Sequence, residues 1–310
     1  MPFRFIPARL DSVLFGLFVV GCVGLVAESP LTGTPFRHAS ADVVVATDAE
    51  TLSGVYESLD YRLDGARTGD GGVPRVFLAG LPPDLSEIQS VDRRKAMFFK
   101  SVLPLVLEVN ETILSERERL LSLHRLVQAD VPLTSGDRLW LDELAARWGV
   151  GDGDLETLLL RLDIVPPSLA LAQAAIESGW GTSRFAREGK SLFGQRVYRG
   201  EGGMAPRARE TGEVFMVKAF GDLRDGVRAY IRNLNTHWAY RDFRVERARM
   251  RARDGALDGY ALAATLTRYA ERGATYIRAI REIIRVNRLQ SLDGARLEAG
   301  KTTRVIIPYV

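Results

Sequence analysis

A single cysteine, Cys22, in 310 residues excludes an intramolecular disulfide, so any folded domain here must hold by packing. The three histidines, His38, His124 and His237, are scattered, and no thiol cluster joins them. No Gly-rich loop follows a strand. The sequence therefore offers no metal site, no phosphate loop and no cofactor. Charge of one sign is also scarce: the net charge is +3. That balance gives no reason to expect nucleic acid, and it suits an anionic cell wall or membrane surface. Long hydrophobic runs are missing except for one, VLFGLFVVGCVGLVA, at positions 13–27.

That run follows Arg4 and Arg9, and the pair reads as a targeting segment over 1–27, either a signal peptide or a short signal anchor. It is short against the roughly 20 apolar residues of a spanning helix. Either form sends the rest of the chain across the inner membrane. Val19-Val20-Gly21-Cys22 resembles a lipoprotein processing site, but the chain stays apolar after Cys22, which favours a plain anchor or a cleaved peptide. Residues 28–72 read as a partly disordered linker, with a Val43-Val44-Val45 run and a Gly-rich end.

From Val91 the chain turns helical. Phe98, Val102, Leu105, Val106, Val109 and Ile113 recur at helical spacing, with Pro104 placed to kink or divide the helix. Residues 137–163 have the look of a helix-turn-helix, but GDGDLETLL is acidic where a DNA-reading helix is basic. Two packed helices are the better reading, and 73–165 is expected to be a helical N-terminal region. Residues 207–220 read as a hairpin about Thr211-Gly212. Four helices follow it: one capped by Asp222 or Asp225, then 240–253, then one opened by Asp258 and ended before Gly273, then one marked by Ile277, Ile280 and Ile284. Residues 291–310 are a C-terminal tail, in which Val305-Ile306-Ile307 forms a strand or is loose.

The chemistry concentrates at 166–195, PPSLALAQAAIESGWGTSRFAREGKSLFGQ. Pro167 suits a first helical turn, and Ser168 is placed to cap. Gly179 sits where a helix ends in a left-handed residue. Glu177 thus falls in the last turn, near Trp180 and Phe185. A carboxylate is disfavoured at the negative end of a helix and beside apolar rings, so its pKa is expected to rise, as a general acid requires.

AQAAIESGWGTSRFA with SLFGQ resembles the signature of the bacterial glucosaminidase family, which hydrolyses peptidoglycan. FLAGLPPDL, RRKAMFFKSVLPLVLEVNETILSER and AYIRNLNTHWAYRDFR extend the resemblance to its Bax-like branch, over about 73–290. The resemblance implies a mainly α, lysozyme-like helical domain at 166–290, with a small β-hairpin lobe and additional helices before it. It implies an exported endo-β-N-acetylglucosaminidase in the periplasm or cell envelope, acting on peptidoglycan glycan strands. Glu177 would be the general acid, and the lobe would carry a second acid, Glu210 or, after the turn, Glu213. Tyr269 and Tyr276 occupy the place of the family's late tyrosine motif, although the spacer between them, Glu271 to Thr275, departs from the family pattern. Trp180, Phe193, Gln195, Glu213, Trp238 and Tyr276 are the candidate substrate-binding residues, the two tryptophans by stacking on sugar rings. A lytic transglycosylase and a non-catalytic wall-binding scaffold are the alternatives.

Overall fold

The computed structural model describes residues 41–198, 202–205, 215–253, 255–271 and 273–308. The targeting segment and Cys22 lie outside them. Among the described residues, no helix is long and apolar enough to cross a membrane.

The chain opens with β1 (Asp42–Val45), α1 (Ala49–Ser58), α2 (Leu63–Thr68) and β2 (Val76–Leu78). This departs from the expected linker, and local chemistry explains the departure. Asp48 and Thr51 form a capping box at the start of α1: Thr51 N donates to Asp48 Oδ1 at 2.8 Å, and Asp48 N donates to Thr51 Oγ1 at 3.2 Å. Leu52 and Tyr56, one turn apart, are buried together.

Next come α3 (Val91–Gln128), α4 (Ser135–Trp148), α5 (Leu155–Arg161), α6 (Pro167–Ser178) and α7 (Arg184–Arg187). The Tyr56 hydroxyl meets Ser101 of α3 at 2.9 Å in the interior, which docks α1 on that helix. Helix α3 runs for 38 residues with Pro104 inside, so the proline does not divide it. Its periodic apolar positions, Phe98 to Ile113, are all buried, so tertiary packing outweighs the lost backbone hydrogen bond.

A small lobe follows, of β3 (Arg196–Tyr198), β4 (Gly203–Met204) and β5 (Phe215–Lys218), antiparallel in the order β3-β5-β4. The stretch 207–210 and the Thr211-Gly212 turn expected to pair with β5 lie outside the described residues. Strand β5 pairs with β3 (Val197 opposite Met216) and with β4 (Gly203 opposite Lys218). A Cβ at Gly203 would stand 2.6 Å from that of Met216, so a glycine lets the strands close here.

The chain then forms α8 (Leu223–Thr236), α9 (Arg241–Arg253), α10 (Gly259–Leu262), α11 (Gly273–Val286) and β6 (Thr303–Ile306). Asp222 caps α8 through Asp225 N at 2.9 Å. Gly273 begins α11 rather than following α10, which stops at Leu262 and passes into a 3-10 turn. The expected tail forms the centre of a parallel sheet ordered β1-β6-β2, with Thr303 opposite both Asp42 and Val76. One apolar core runs from Ala46 to Ile307, across the boundaries at 73, 166 and 290 that the sequence suggested.

Helix α6 lies at the middle of that core, and its Leu169 to Ala172 stretch is fully buried. Ser168 does not cap it. Pro166 holds the cap position, so Ser168 lies inside the first turn, and its N and Oγ both donate to Asp293 at 2.8 Å. Asp293 also accepts from Gly259 N at 3.0 Å, tying α6 to α10. Behind α6 is an ionic knot. Asp163, 2% exposed, accepts from Arg251 at 2.9 and 3.1 Å and lies within 4 Å of Arg117 and Arg247. Arg247 also donates to the backbone oxygens of Leu160, Asp163 and Ile164 and to Asn235 Oδ1. One buried cluster thus joins α3, α5, α8 and α9.

Candidate active site

The end of α6 is shaped residue by residue. Gly179, Trp180 and Gly181 are successive left-handed residues, with φ of 58°, 60° and 79°. The first closes the helix, and its backbone N–H bonds to Ala175 O. Trp180 adopts a conformation that non-glycine residues rarely take. At Gly181 a Cβ would fall 2.6 Å from Leu81 Cδ1 and 3.1 Å from Phe98, so only glycine fits against α3 there. Ser178 Oγ donates to Ala174 O at 2.6 Å and accepts from Gly181 N at 2.8 Å. The run Ser-Gly-Trp-Gly therefore fixes the turn that follows Glu177.

Glu177 is 8% exposed. Burial pushes its pKa up to about 7, against a smaller lowering by the Tyr276 hydroxyl, which lies in hydrogen-bonding reach. The direction is the expected one, but the neighbours differ from those expected. Trp180 turns to α3, where it packs edge-on against Phe98 and Phe99 with Lys95 Nζ 5.1 Å from its ring. The ionisable groups around Glu177 are phenols: Tyr230 of α8, Tyr269 of the turn before α11, and Tyr276 of α11. All three are raised well above their ordinary values by burial, and so they stay neutral. Among the described residues, no cation lies beside the carboxyl to hold it ionised.

The phenols are ordered by stacking and by one amide. Tyr269 stacks on Tyr276 at 5.4 Å and meets Tyr240 at 5.8 Å. Gln173, one turn before Glu177 on the same face of α6, donates from Nε2 to Tyr276 Oη at 2.9 Å. The Tyr230 hydroxyl donates to Gln173 Oε1 at 2.6 Å. Sequence reading missed both partners. Tyr230 lies among the buried apolar positions of α8, next to Ile231 and Leu234. Gln173 carried a signal, since a lone amide within LALAQAAI on a buried helix needs partners.

The structure brings together Glu177, Tyr269 and Tyr276. It does not bring Phe193 to solvent: the ring is 1% exposed and stacks flat on Tyr230 at 3.8 Å, so Phe193 supports the cluster and cannot touch substrate. Gln195 borders the lobe. Its backbone oxygen accepts from Lys218 N at 2.7 Å, and its side-chain Oε1 is buried without a hydrogen-bond partner. Trp238 is 61% exposed, with the Arg268 guanidinium 5.3 Å from its ring centre. Glu210 and Glu213 lie outside the described residues. Among the described residues, no group of three His, Cys, Asp or Glu side chains is placed to hold a metal. The geometry supplies a buried carboxyl, about half protonated near neutral pH, among tyrosine hydroxyls.

Residues 156–289 match the family described as mannosyl-glycoprotein endo-beta-N-acetylglucosaminidase. Protein bax of Escherichia coli is 36% identical over 200 residues, which cover 63% of this chain and 70% of that protein. A solved structure, the catalytic domain of the autolysin Auto from Listeria monocytogenes, is similar at 16% identity and a TM-score of 0.37, over 67% of this chain and 92% of that one. No residue roles are carried across at that level.

Proposed function

The chain belongs to the glucosaminidase family, in its Bax-like branch, and on that premise we propose that it is an endo-β-N-acetylglucosaminidase cutting the glycan strand of peptidoglycan, with Glu177 as general acid. The observation that carries this reading is the Glu177 environment: a buried carboxyl with a pKa of about 7 among neutral phenols. Such a group holds a proton at neutral pH and delivers it to a leaving glycosidic oxygen as the bond breaks. Tyr276 takes up charge on the carboxylate as that proton leaves.

The second half of the reaction belongs to water. Glu210 of the lobe is the proposed activating acid, with Glu213 as its substitute. The substrate's acetamido group, or Tyr269 beside Glu177, is the route without a second acid. Trp238, which is exposed, is the proposed stacking surface for a sugar ring. A peptidoglycan substrate places the protein in the cell envelope. Arg4, Arg9 and the apolar run to Ala27 are the proposed means of export.

Glu177→Gln keeps the shape and removes the transferable proton. The chain lacking residues 1–27 should release fragments from purified peptidoglycan, and the variant should be slower by about a hundredfold or more. Equal rates would remove the assignment. The second reading is a lytic transglycosylase, which also needs one acid and uses an intramolecular sugar hydroxyl in place of water. Product masses carrying an anhydro sugar would select it.

A further inference from the structure

The polar chain behind Glu177 has one self-consistent proton direction. Tyr276 Oη faces two groups, the Gln173 amide nitrogen at 2.9 Å and the Glu177 carboxyl. An amide nitrogen only donates. Tyr276 therefore accepts from Gln173, and its one proton is left for Glu177. Turning the Gln173 amide over would set its oxygen against Tyr276 and draw that proton away from the acid. It would also set the amide nitrogen against Tyr230, whose hydroxyl is buried and has Gln173 Oε1 as its acceptor at 2.6 Å. A buried O–H would then lack an acceptor, which is unfavourable. Phe193, stacked flat on Tyr230, holds that phenol in place from the other side.

The direction of this chain has a consequence for the acid. With the Tyr276 proton aimed at it, the facing Glu177 oxygen is an acceptor in both ionisation states. When Glu177 is protonated, its proton sits on the other oxygen, the one not engaged by Tyr276.

We infer that Gln173, braced by Tyr230, is a positioning residue: it aims the Tyr276 hydroxyl at Glu177 and so fixes which carboxyl oxygen carries the transferable proton. The inference rests on the reading of Glu177 as the acid and adds residues that this reading does not need. The titratable groups facing Glu177 among the described residues are Tyr230 from α8, Tyr269 from the turn before α11 and Tyr276 from α11. All are neutral over the range in which Glu177 titrates, so a shift in that titration reports on hydrogen bonding rather than on a second charge.

The test is a thermodynamic cycle on the full chain, read by NMR titration of Glu177 in protein labelled with 13C-glutamate and by kcat and KM on peptidoglycan. Gln173→Met keeps the volume and deletes both polar atoms. It should raise the Glu177 midpoint by half a pH unit or more, because a Tyr276 hydroxyl that accepts no hydrogen bond donates more weakly. It should lower kcat about tenfold and leave KM unchanged. Tyr230→Phe, one oxygen smaller, should shift the midpoint in the same direction by less. In a Tyr276→Phe background, neither change should move the midpoint further. An unmoved midpoint in Gln173→Met overturns the inference, as do equal shifts with and without the Tyr276 hydroxyl. If Gln173→Met does not fold, Tyr230→Phe carries the same cycle. Coupled midpoint shifts in a protein that cleaves no glycan would end the proposed function and leave this inference standing. Cleavage without coupling would end this inference alone.

Discussion

Asp163, just before α6, and Glu177, in its last turn, are both buried carboxyls, and their surroundings drive them to opposite states. Burial alone would raise both. At Asp163 the Arg247, Arg251 and Arg117 guanidiniums overcome it, and the carboxyl is held below its ordinary range. At Glu177 burial faces only phenols among the described residues and prevails, lifting the pKa to about 7. One acid is a permanent anion that clamps four helices. The other sits near its midpoint at neutral pH. The choice of partner, arginine or tyrosine, separates scaffold from chemistry.

The sharpest way to break this comparison is to remove the clamp. Asp163→Asn leaves three guanidiniums facing one another in the interior and should cost about 3–5 kcal/mol of stability, read by urea unfolding. Because the folded-state pKa of Asp163 is depressed, its contribution is complete above the unfolded value of about 4 and fades as pH falls through the folded one. An Asn variant as stable as the parent at pH 7 would show that the knot is not the clamp described.

Glu177 predicts the reverse sign. Its folded pKa of about 7 lies above the ordinary glutamate value of 4.5, so ionising it in place costs about 3 kcal/mol once pH exceeds 7. Glu177→Gln should therefore be more stable than the parent, by nothing at pH 4 and by up to that amount at pH 8, while losing activity. Unfolding curves of both proteins at the two pH values check it; a gain independent of pH would contradict the raised pKa. The smallest effect is expected at Trp238, which is exposed. Trp238→Ala should leave the urea midpoint within about 0.5 kcal/mol of the parent and raise KM severalfold. An unchanged KM would take the sugar-stacking role from it.

The local half of this molecule was legible in the sequence. Pro167, the apolar spacing of 169–176 and Gly179 mark α6 within its own dozen residues, and Asp222 marks the start of α8. The pattern of 91–113 showed a buried face but not that Pro104 would be carried through, because the packing that tolerates it comes from other helices. What the sequence hid depends on distant partners. Gln173 meets Tyr230 and Tyr276, 57 and 103 residues away. Residues 42–58 have weak periodicity alone and become ordered against Ser101 and β6. That β5 also pairs with β3 was not legible, because a Thr-Gly turn signals only a local hairpin.

The place of β6 bears on the order in which this chain is assembled. Strands β1 and β2 are not neighbours in their sheet; each bonds only to β6, which lies between them. During synthesis both emerge long before it, and until Thr303 to Ile306 arrives they present open edges to any passing strand. The helical body, rich in contacts near in sequence, can condense first, while the sheet has to wait for the last element described here. A chain stalled or clipped before residue 303 would thus keep Glu177 and its phenols and yet carry two unmated strands, on a molecule prone to stick to its own kind.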